Sequence, residues 1–192
     1  MPAGQPIRSV LSPMIGIDQL HGAVLASRTL QAFHSAQTNG TPTAYDRALA
    51  ELRAGRKRSH WIWFVLPQLR SLGRSAMAQR YGLADLEEAQ AYLADPLLRQ
   101  RYEEVVAVIR EQLRNPHQRL ELLMGSGLDA AKTISSLTLF EAAGLASAGE
   151  LLDQIGRRCP LTLERLALTP APADPRPAPA APPARPAADP AG

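Results

Sequence analysis

Apolar positions recur at helical spacing through most of the chain, and the clearest stripe follows Asp95 and Pro96. A capping acid followed by a proline in the first turn is typical of a helix start. The stripe has the spacing of one helix face and stops at Asn115-Pro116. Its members are Leu98, Tyr102, Val105, Val106, Ile109 and Leu113. We therefore predict a helix from residue 96 to the region of residue 113.

Capping residues and shorter stripes predict the other helices. Thr43 can cap a helix that closes at Gly55, and Asp85 with Glu88 forms a capping-box pattern. Asp129 is the expected cap of a helix that ends near residue 143. Further helical segments are predicted at 27–37, 75–81, 118–124, 150–157 and 161–168. The predicted fold class is all-α, a compact single-domain orthogonal array of about seven to nine helices.

One segment shows no clear period. Trp61-Ile62-Trp63-Phe64-Val65-Leu66 is a continuous apolar run that stops at Pro67. Its residue types favour a strand, a short buried helix fits equally well, and periodicity does not distinguish the two. A short strand at 61–66 is therefore the main alternative to a purely helical fold.

Composition limits the region that can fold. Residues 170–192 contain nine prolines and nine alanines in 23 positions, and no apolar side chain larger than alanine. Such a segment cannot bury enough surface to offset its ordering entropy, so a disordered Pro/Ala-rich tail is predicted over 169–192. Residues 1–24 carry three prolines and three glycines without lasting periodicity, and are interpreted as a loosely ordered leader. The helical domain is expected over 25–168.

Several classes of protein are excluded by what the sequence does not contain. The single cysteine, Cys159, excludes an internal disulfide and favours a reduced, cytoplasmic setting. No apolar run approaches the ~20 residues of a membrane span. The histidines lack metal-ligand spacing, and the common phosphate-loop, dinucleotide-binding and serine-hydrolase patterns are missing, so no metal or cofactor is expected. The oligomeric state stays open.

Charge is unevenly distributed, which changes this picture. Residues 46–82 carry eight basic and two acidic side chains, whereas residues 83–125 carry eight acids and five arginines. The basic part favours an anionic partner. Within it, Arg56-Lys57-Arg58-Ser59-His60 leads directly into Trp61 and Trp63. Cations bind phosphate and flat rings stack on bases, although a core position explains the rings better.

A second candidate is the turn at Gly73, Arg74 and Ser75. A glycine-containing turn that leads into a helix presents free N–H groups to an anion. Arg74 and Ser75 would add side-chain contacts. Ordinary helix capping explains the same three residues without any ligand.

The third candidate is a predicted helix face that carries Asp129, Lys132, Ser135 and Ser136. An acid, a lysine and hydroxyls at helical spacing are typical of a ligand-binding face, although a cap and hydroxyl-to-carbonyl hydrogen bonds explain them without function. Lys132 and Lys57 are the two lysines of a chain with 19 arginines. In a chain where arginine is so common, the use of lysine at these positions points to a role for its compact ammonium group.

These segments also resemble a known family. The blocks that carry the resemblance are Lys57-x-x-His60-Trp61-x-Trp63-Phe64 and Ser135-Ser136-x-Thr138-Leu139-Phe140. They resemble an uncharacterised bacterial helical family catalogued as domain of unknown function 1810, some members of which carry the label calpastatin. The resemblance extends from Leu30 to Leu168 and implies a mainly helical domain, without an established activity. This chain has Asp95 where the family usually has histidine.

The leading hypothesis is one small-ligand site built from all three segments. The candidate ligand is a phosphate-containing small molecule, either a nucleotide or an ADP-ribose-like compound. Its expected binding residues are Lys57, Arg58, Trp61, Trp63, Arg74, Ser75, Ser135 and Ser136. For a hydrolytic reaction, Asp129 is the candidate carboxylate, with His60 or Lys132 as its proton-transfer partner. The alternatives are a sequence-tolerant nucleic-acid-binding module and a protein-interaction domain without catalysis.

Overall fold

The computed structural model describes residues 30–168, and these residues form an all-α fold. Helix α1 occupies residues 30–37 of this region. The helices that follow are α2 (Ala44–Arg53), α3 (Ile62–Val65), α4 (Ala76–Tyr81), α5 (Leu86–Ala94), α6 (Pro96–Gln112), α7 (Leu120–Leu123), α8 (Gly127–Ala142), α9 (Ala146–Ile155) and α10 (Pro160–Leu168). A 3₁₀ turn, Arg70–Leu72, lies between α3 and α4. The predicted leader and tail lie outside the described residues.

The helix starts follow from side-chain caps. The hydroxyl of Thr43 accepts from the Asp46 backbone N–H, and the Asp46 carboxylate accepts from the Thr43 backbone N–H. The two hydrogen bonds form a capping box. Asp95 caps α6 by accepting from the N–H groups of Leu97 and Leu98. The predicted start at residue 96 is therefore confirmed.

One predicted cap is wrong, with a consequence for the site. Helix α8 begins at Gly127, and Ser126 is its cap because the Ser126 hydroxyl accepts from the Asp129 N–H. Serine and aspartate are similarly favourable caps, so residue type alone does not distinguish Ser126 from Asp129. The helix begins after Ser126, the earlier of the two. The carboxylate of Asp129 is consequently available for other partners.

The alternative of a strand at 61–66 is also wrong. The Val65 N–H donates to Trp61 O at 3.1 Å, and the Leu66 N–H donates to Ile62 O at 3.0 Å. Within residues 30–168 the structure contains no strand, only an isolated bridge between Leu69 and Leu83. A buried run without a strand beside it must satisfy its backbone internally, and one helical turn does so.

Helix α8 is the centre of the core. Residues 133–140 of it are buried without interruption, and α5, α7, α9 and α10 pack around it. At its C-terminal end Phe140 packs against Tyr102 and Tyr92, with ring centroids 4.2 and 5.1 Å away. Its N-terminal end, with Asp129 and Lys132, lies at the edge of the core. Among residues 30–168 no helix is long and apolar enough to cross a membrane.

Candidate functional site

Both lysines of the chain bind the same carboxylate. The Lys57 ammonium donates to Asp129 Oδ2 at 2.6 Å, and the Lys132 ammonium donates to Asp129 Oδ1 at 3.0 Å. The three side chains are 6%, 15% and 16% exposed for Lys57, Lys132 and Asp129 respectively. We call Lys57, Asp129 and Lys132 the lysine–aspartate cluster. It joins the first and third candidate segments in one place.

The backbone around Lys57 explains how the cluster is assembled. The Lys57 N–H donates to Leu123 O at 2.7 Å, which fixes this residue beside the turn before α8. In that turn Gly125 has a φ of +76°, and a Cβ there would lie 2.9 Å from Lys57 O. Glycine is therefore required at 125 both for its conformation and for the close approach of the two backbones.

Glu51 organises the loop that carries Lys57. One carboxylate oxygen of Glu51 accepts from Arg58 N, Ser59 N and Trp61 Nε1, at 2.8, 3.0 and 2.8 Å. Burial alone would raise the pKa of Glu51, but these hydrogen bonds outweigh it and lower the pKa to about 2. An ionised Glu51 thus holds both ends of the turn between Lys57 and Trp61.

This arrangement predicts an acid-sensitive loop. The folded pKa of Glu51 is about 2 and its ordinary value is 4.5, so its stabilising contribution is complete above pH 4.5. We expect that contribution to be lost as the pH falls toward 2. Urea unfolding followed through tryptophan fluorescence at a series of acid pH values measures it. Glu51→Gln should be less stable near neutral pH and should lose less stability on acidification. Parallel pH profiles for the two proteins would contradict the assignment.

A tryptophan face covers each lysine. The Lys57 ammonium lies 5.2 Å from the centre of the Trp61 ring, and the Lys132 ammonium lies 4.1 Å from that of Trp63. The negative faces of these rings stabilise the ammonium groups. Trp61 is buried in the core, whereas Trp63 is half-buried and lines the cavity described next.

A cavity of about 250 Å³ lies beside Lys132. Helices α3, α4, α8 and α10 and the segments around the 3₁₀ turn form its walls. The apolar side chains are Trp63, Leu69, Leu72, Ala78, Tyr81, Leu128, Ala131 and Leu161. The polar ones are Gln68, Lys132, Ser135 and the thiol-bearing Cys159. Leu128 and Leu161 remain largely exposed, at 68% and 57%, so they form part of the rim.

The cluster contains two basic side chains and one acidic side chain. Burial alone would raise the pKa of Asp129, but hydrogen bonds from Lys57 and Lys132 and their charges lower it below the usual value. Asp129 is therefore anionic, with one oxygen bound to each ammonium. With both lysines charged, two cations share one anion. The balance within these three side chains is a net charge of +1 in a poorly solvated place.

The structure brings some of the predicted site residues together. Lys57, Asp129 and Lys132 form the cluster, while Trp63 and Ser135 lie with Lys132 in the cavity wall. The Ser135 hydroxyl is hydrogen-bonded to Thr162 Oγ1 at 2.9 Å.

The other predicted residues do not line the cavity. Trp61 is 2% exposed and belongs to the core, and Ser136 is fully buried with its hydroxyl 3.0 Å from Tyr102 Oη. Arg58, His60, Arg74 and Ser75 are exposed and lie outside the cavity wall. The Ser75 hydroxyl accepts from the Ala78 N–H, so it acts as the cap of α4. The glycine of that turn, Gly73, does line the cavity.

Two residues of this region, Glu51 and Cys159, were not predicted from the sequence. Glu51 accepts the hydrogen bonds that hold the loop. It could have been noticed in the sequence as one of two acids in the basic segment 46–82. Cys159 lines the cavity, and no local pattern marked it because it reaches the site from the turn before α10.

Fold and site together define a helical domain with a small, half-open cavity beside a net-positive cluster. The chain belongs to the family described as "Protein of unknown function (DUF1810)", whose model matches residues 27–166. The resemblance in its Trp and Ser-Ser blocks is therefore confirmed.

A solved structure supports the same assignment. The crystal structure of the conserved hypothetical protein Rv1873 from Mycobacterium tuberculosis is similar, with 41% sequence identity and a TM-score of 0.65. The match covers 73% of this chain and 97% of that chain. Comparison with curated proteins finds no match. The names of the matching family and of the matching structure state no activity.

Proposed function

We propose that the cavity beside Lys132 binds a small phosphate-containing ligand, of the kind exemplified by a nucleotide or ADP-ribose. The observation that carries this proposal is the charge of the lysine–aspartate cluster, in which two ammonium groups share the Asp129 carboxylate. Charges in a poorly solvated place interact strongly. An anionic group in the cavity would neutralise the cluster.

Lys132 is the residue that would contact the ligand in this proposal. Lys57 binds the other carboxylate oxygen of Asp129 and adds a second positive charge. Lys132 lines the cavity and is the more exposed of the two lysines. Trp63 and Tyr81 contribute aromatic side chains to the same walls. Ligand pockets usually have volumes of about 300–1,000 Å³, so a cavity of about 250 Å³ favours a small ligand or one part of a larger one.

The proposal is one of binding, and it assigns no reaction. Both oxygens of Asp129 are hydrogen-bonded to lysines, and its pKa is lowered by them, so the carboxylate is poorly suited to accept a proton. His60, the other proposed proton-transfer partner, is exposed and lies outside the cavity wall. In this role Asp129 positions the lysines.

Nucleic-acid binding is less well supported. Trp61 is buried and cannot stack on a base, and two arginines of the basic segment pair internally, Arg53 with Glu104 and Arg70 with Glu88. Base stacking and free cations are what sequence-tolerant binding requires.

Alkylation of Cys159 tests the proposal, because the single cysteine lines the cavity. We expect AMP, and more weakly inorganic phosphate, to slow the reaction of Cys159 with iodoacetamide and to raise the melting temperature. Lys132→Gln leaves the Lys57–Asp129 pair intact and removes the charge at the cavity. A hydrogen bond to a charged group contributes about 1.5–3 kcal/mol, so the apparent Kd should rise by roughly 10- to 100-fold.

Arg99→Gln is the matched control, since it removes one positive charge from an exposed pair with Glu103 on α6. It should bind AMP as the parent protein does. The proposal is wrong if phosphate, AMP and ADP-ribose at millimolar concentration all leave both the Cys159 reaction and the melting temperature unchanged.

A further inference from the structure

We infer that the ligand of this cavity carries an apolar body, aryl or alkyl, on its anionic group, in place of a polyhydroxylated sugar. The inference rests on the proposed function and narrows the ligand class of that same site: the phosphate is kept, whereas the ribose of AMP or ADP-ribose is expected to contribute less to binding than an apolar group would. The ligand would be an amphipathic phosphate monoester. Its charged end would lie at Lys132, and its apolar end would reach the rim.

The chemistry of the walls is the first reason. Around Lys132 the cavity is formed largely by apolar side chains, including Trp63, Leu69, Leu72 and Tyr81. Burial of apolar surface against such walls is favourable in proportion to its area, whereas a sugar brings little apolar surface.

The two rim leucines are the second reason. Leu128 at the start of α8 and Leu161 at the start of α10 are 68% and 57% exposed, and both line the cavity. An apolar ligand that extends from the cavity would cover both side chains. Large apolar side chains grouped at the mouth of a cavity are what such a ligand requires.

The third reason is that several polar groups of the walls already have partners. The Ser135 hydroxyl pairs with Thr162, Gly82 O accepts from the Arg70 guanidinium, and Gly73 O accepts from the Gln79 amide. Among the described side chains that line the cavity, the Gln68 amide, the Tyr81 hydroxyl and the Trp63 indole N–H have no internal hydrogen bond. The hydroxyls of a sugar would find partners at these few groups only, and each hydroxyl buried without a partner is costly.

Four ligands of similar charge test the inference on the full chain. These are inorganic phosphate, ribose 5-phosphate, phenyl phosphate and hexyl phosphate, with affinities measured by calorimetry and by protection of Cys159 from iodoacetamide. We expect phenyl and hexyl phosphate to bind about tenfold more tightly than ribose 5-phosphate, because each places several apolar carbons against the walls. If ribose 5-phosphate binds as tightly as phenyl phosphate, the inference is wrong and the proposed function stands. If none of the four binds, the proposed function fails with it.

Substitutions at the rim provide a second test that does not threaten the fold. Leu128→Ser and Leu161→Ser change exposed side chains, so both proteins should fold as the parent does. Each substitution should weaken the binding of phenyl phosphate by about three- to tenfold and leave the affinity for inorganic phosphate unchanged. Leu163→Ser is the matched control, because Leu163 is also an exposed leucine on α10 but does not line the cavity. Equal loss of affinity in all three variants would overturn the inference.

Discussion

Replacement of Asp129 by alanine is expected to lower the free energy of unfolding by about 3–5 kcal/mol, because it leaves the two ammonium groups without their shared carboxylate. Lys57 is the more affected, since it is almost completely buried. The change should also lower the melting temperature by roughly 10 °C or more in a domain of this size. Urea unfolding of the two proteins at neutral pH measures the difference.

Two further variants separate charge from packing. Lys57→Met leaves the neutral pair of Lys132 and Asp129, so it should be milder than Asp129→Ala. Conversion of Lys57 and Lys132 to methionine in the Asp129→Ala background removes every unpaired charge and should restore much of the lost stability. A loss of less than about 1 kcal/mol for Asp129→Ala would show that the lysines reach water, and would remove the basis of the proposed function.

Phe140→Ala is expected to produce a loss of similar size, about 3–5 kcal/mol, for a different reason. Phe140 is fully buried, and its ring packs against those of Tyr92 and Tyr102. Truncation removes the buried ring and leaves a cavity that these two large side chains cannot fill without moving. The measurement is again urea unfolding, with the slope of the transition checked for a change in the unfolded state.

Leu128→Ala on the same helix is the matched control. Leu128 is 68% exposed, so its truncation should change the free energy of unfolding by no more than about 0.5 kcal/mol. A comparable loss for both variants would contradict the position of Phe140 at the centre of the core and of Leu128 at the rim.

Helix positions were largely predictable because their signals are local. Asp95 accepts from residues two and three positions later, and Thr43 and Asp46 bond each other across three positions. Such contacts depend on the backbone of one turn, so the amino-acid order specifies them. Where two caps compete, as Ser126 and Asp129 do, the order leaves the choice open.

The candidate site was predictable only in part. The unusual rarity of lysine pointed to Lys57 and Lys132, and the structure joins both to Asp129. The sequence could not show which of the two tryptophans, or which of the two serines, belongs to the site. Trp61 lies in the core, whereas Trp63 lines the cavity. The Ser136 hydroxyl is hydrogen-bonded to Tyr102, whereas Ser135 lines the cavity. Neighbouring residues on a helical turn point in different directions, and which direction is buried depends on what packs there.

The sequence by itself determined the all-α class, the capped helix starts and the segments that carry unusual chemistry. The tertiary structure alone decided that residues 61–66 form a turn of helix, that Glu51 holds the loop, and that both lysines share Asp129. The physical reason is distance along the chain, because Lys57 and Asp129 are 72 positions apart. Contacts of that kind form only when helices pack, and packing depends on the burial of all faces together.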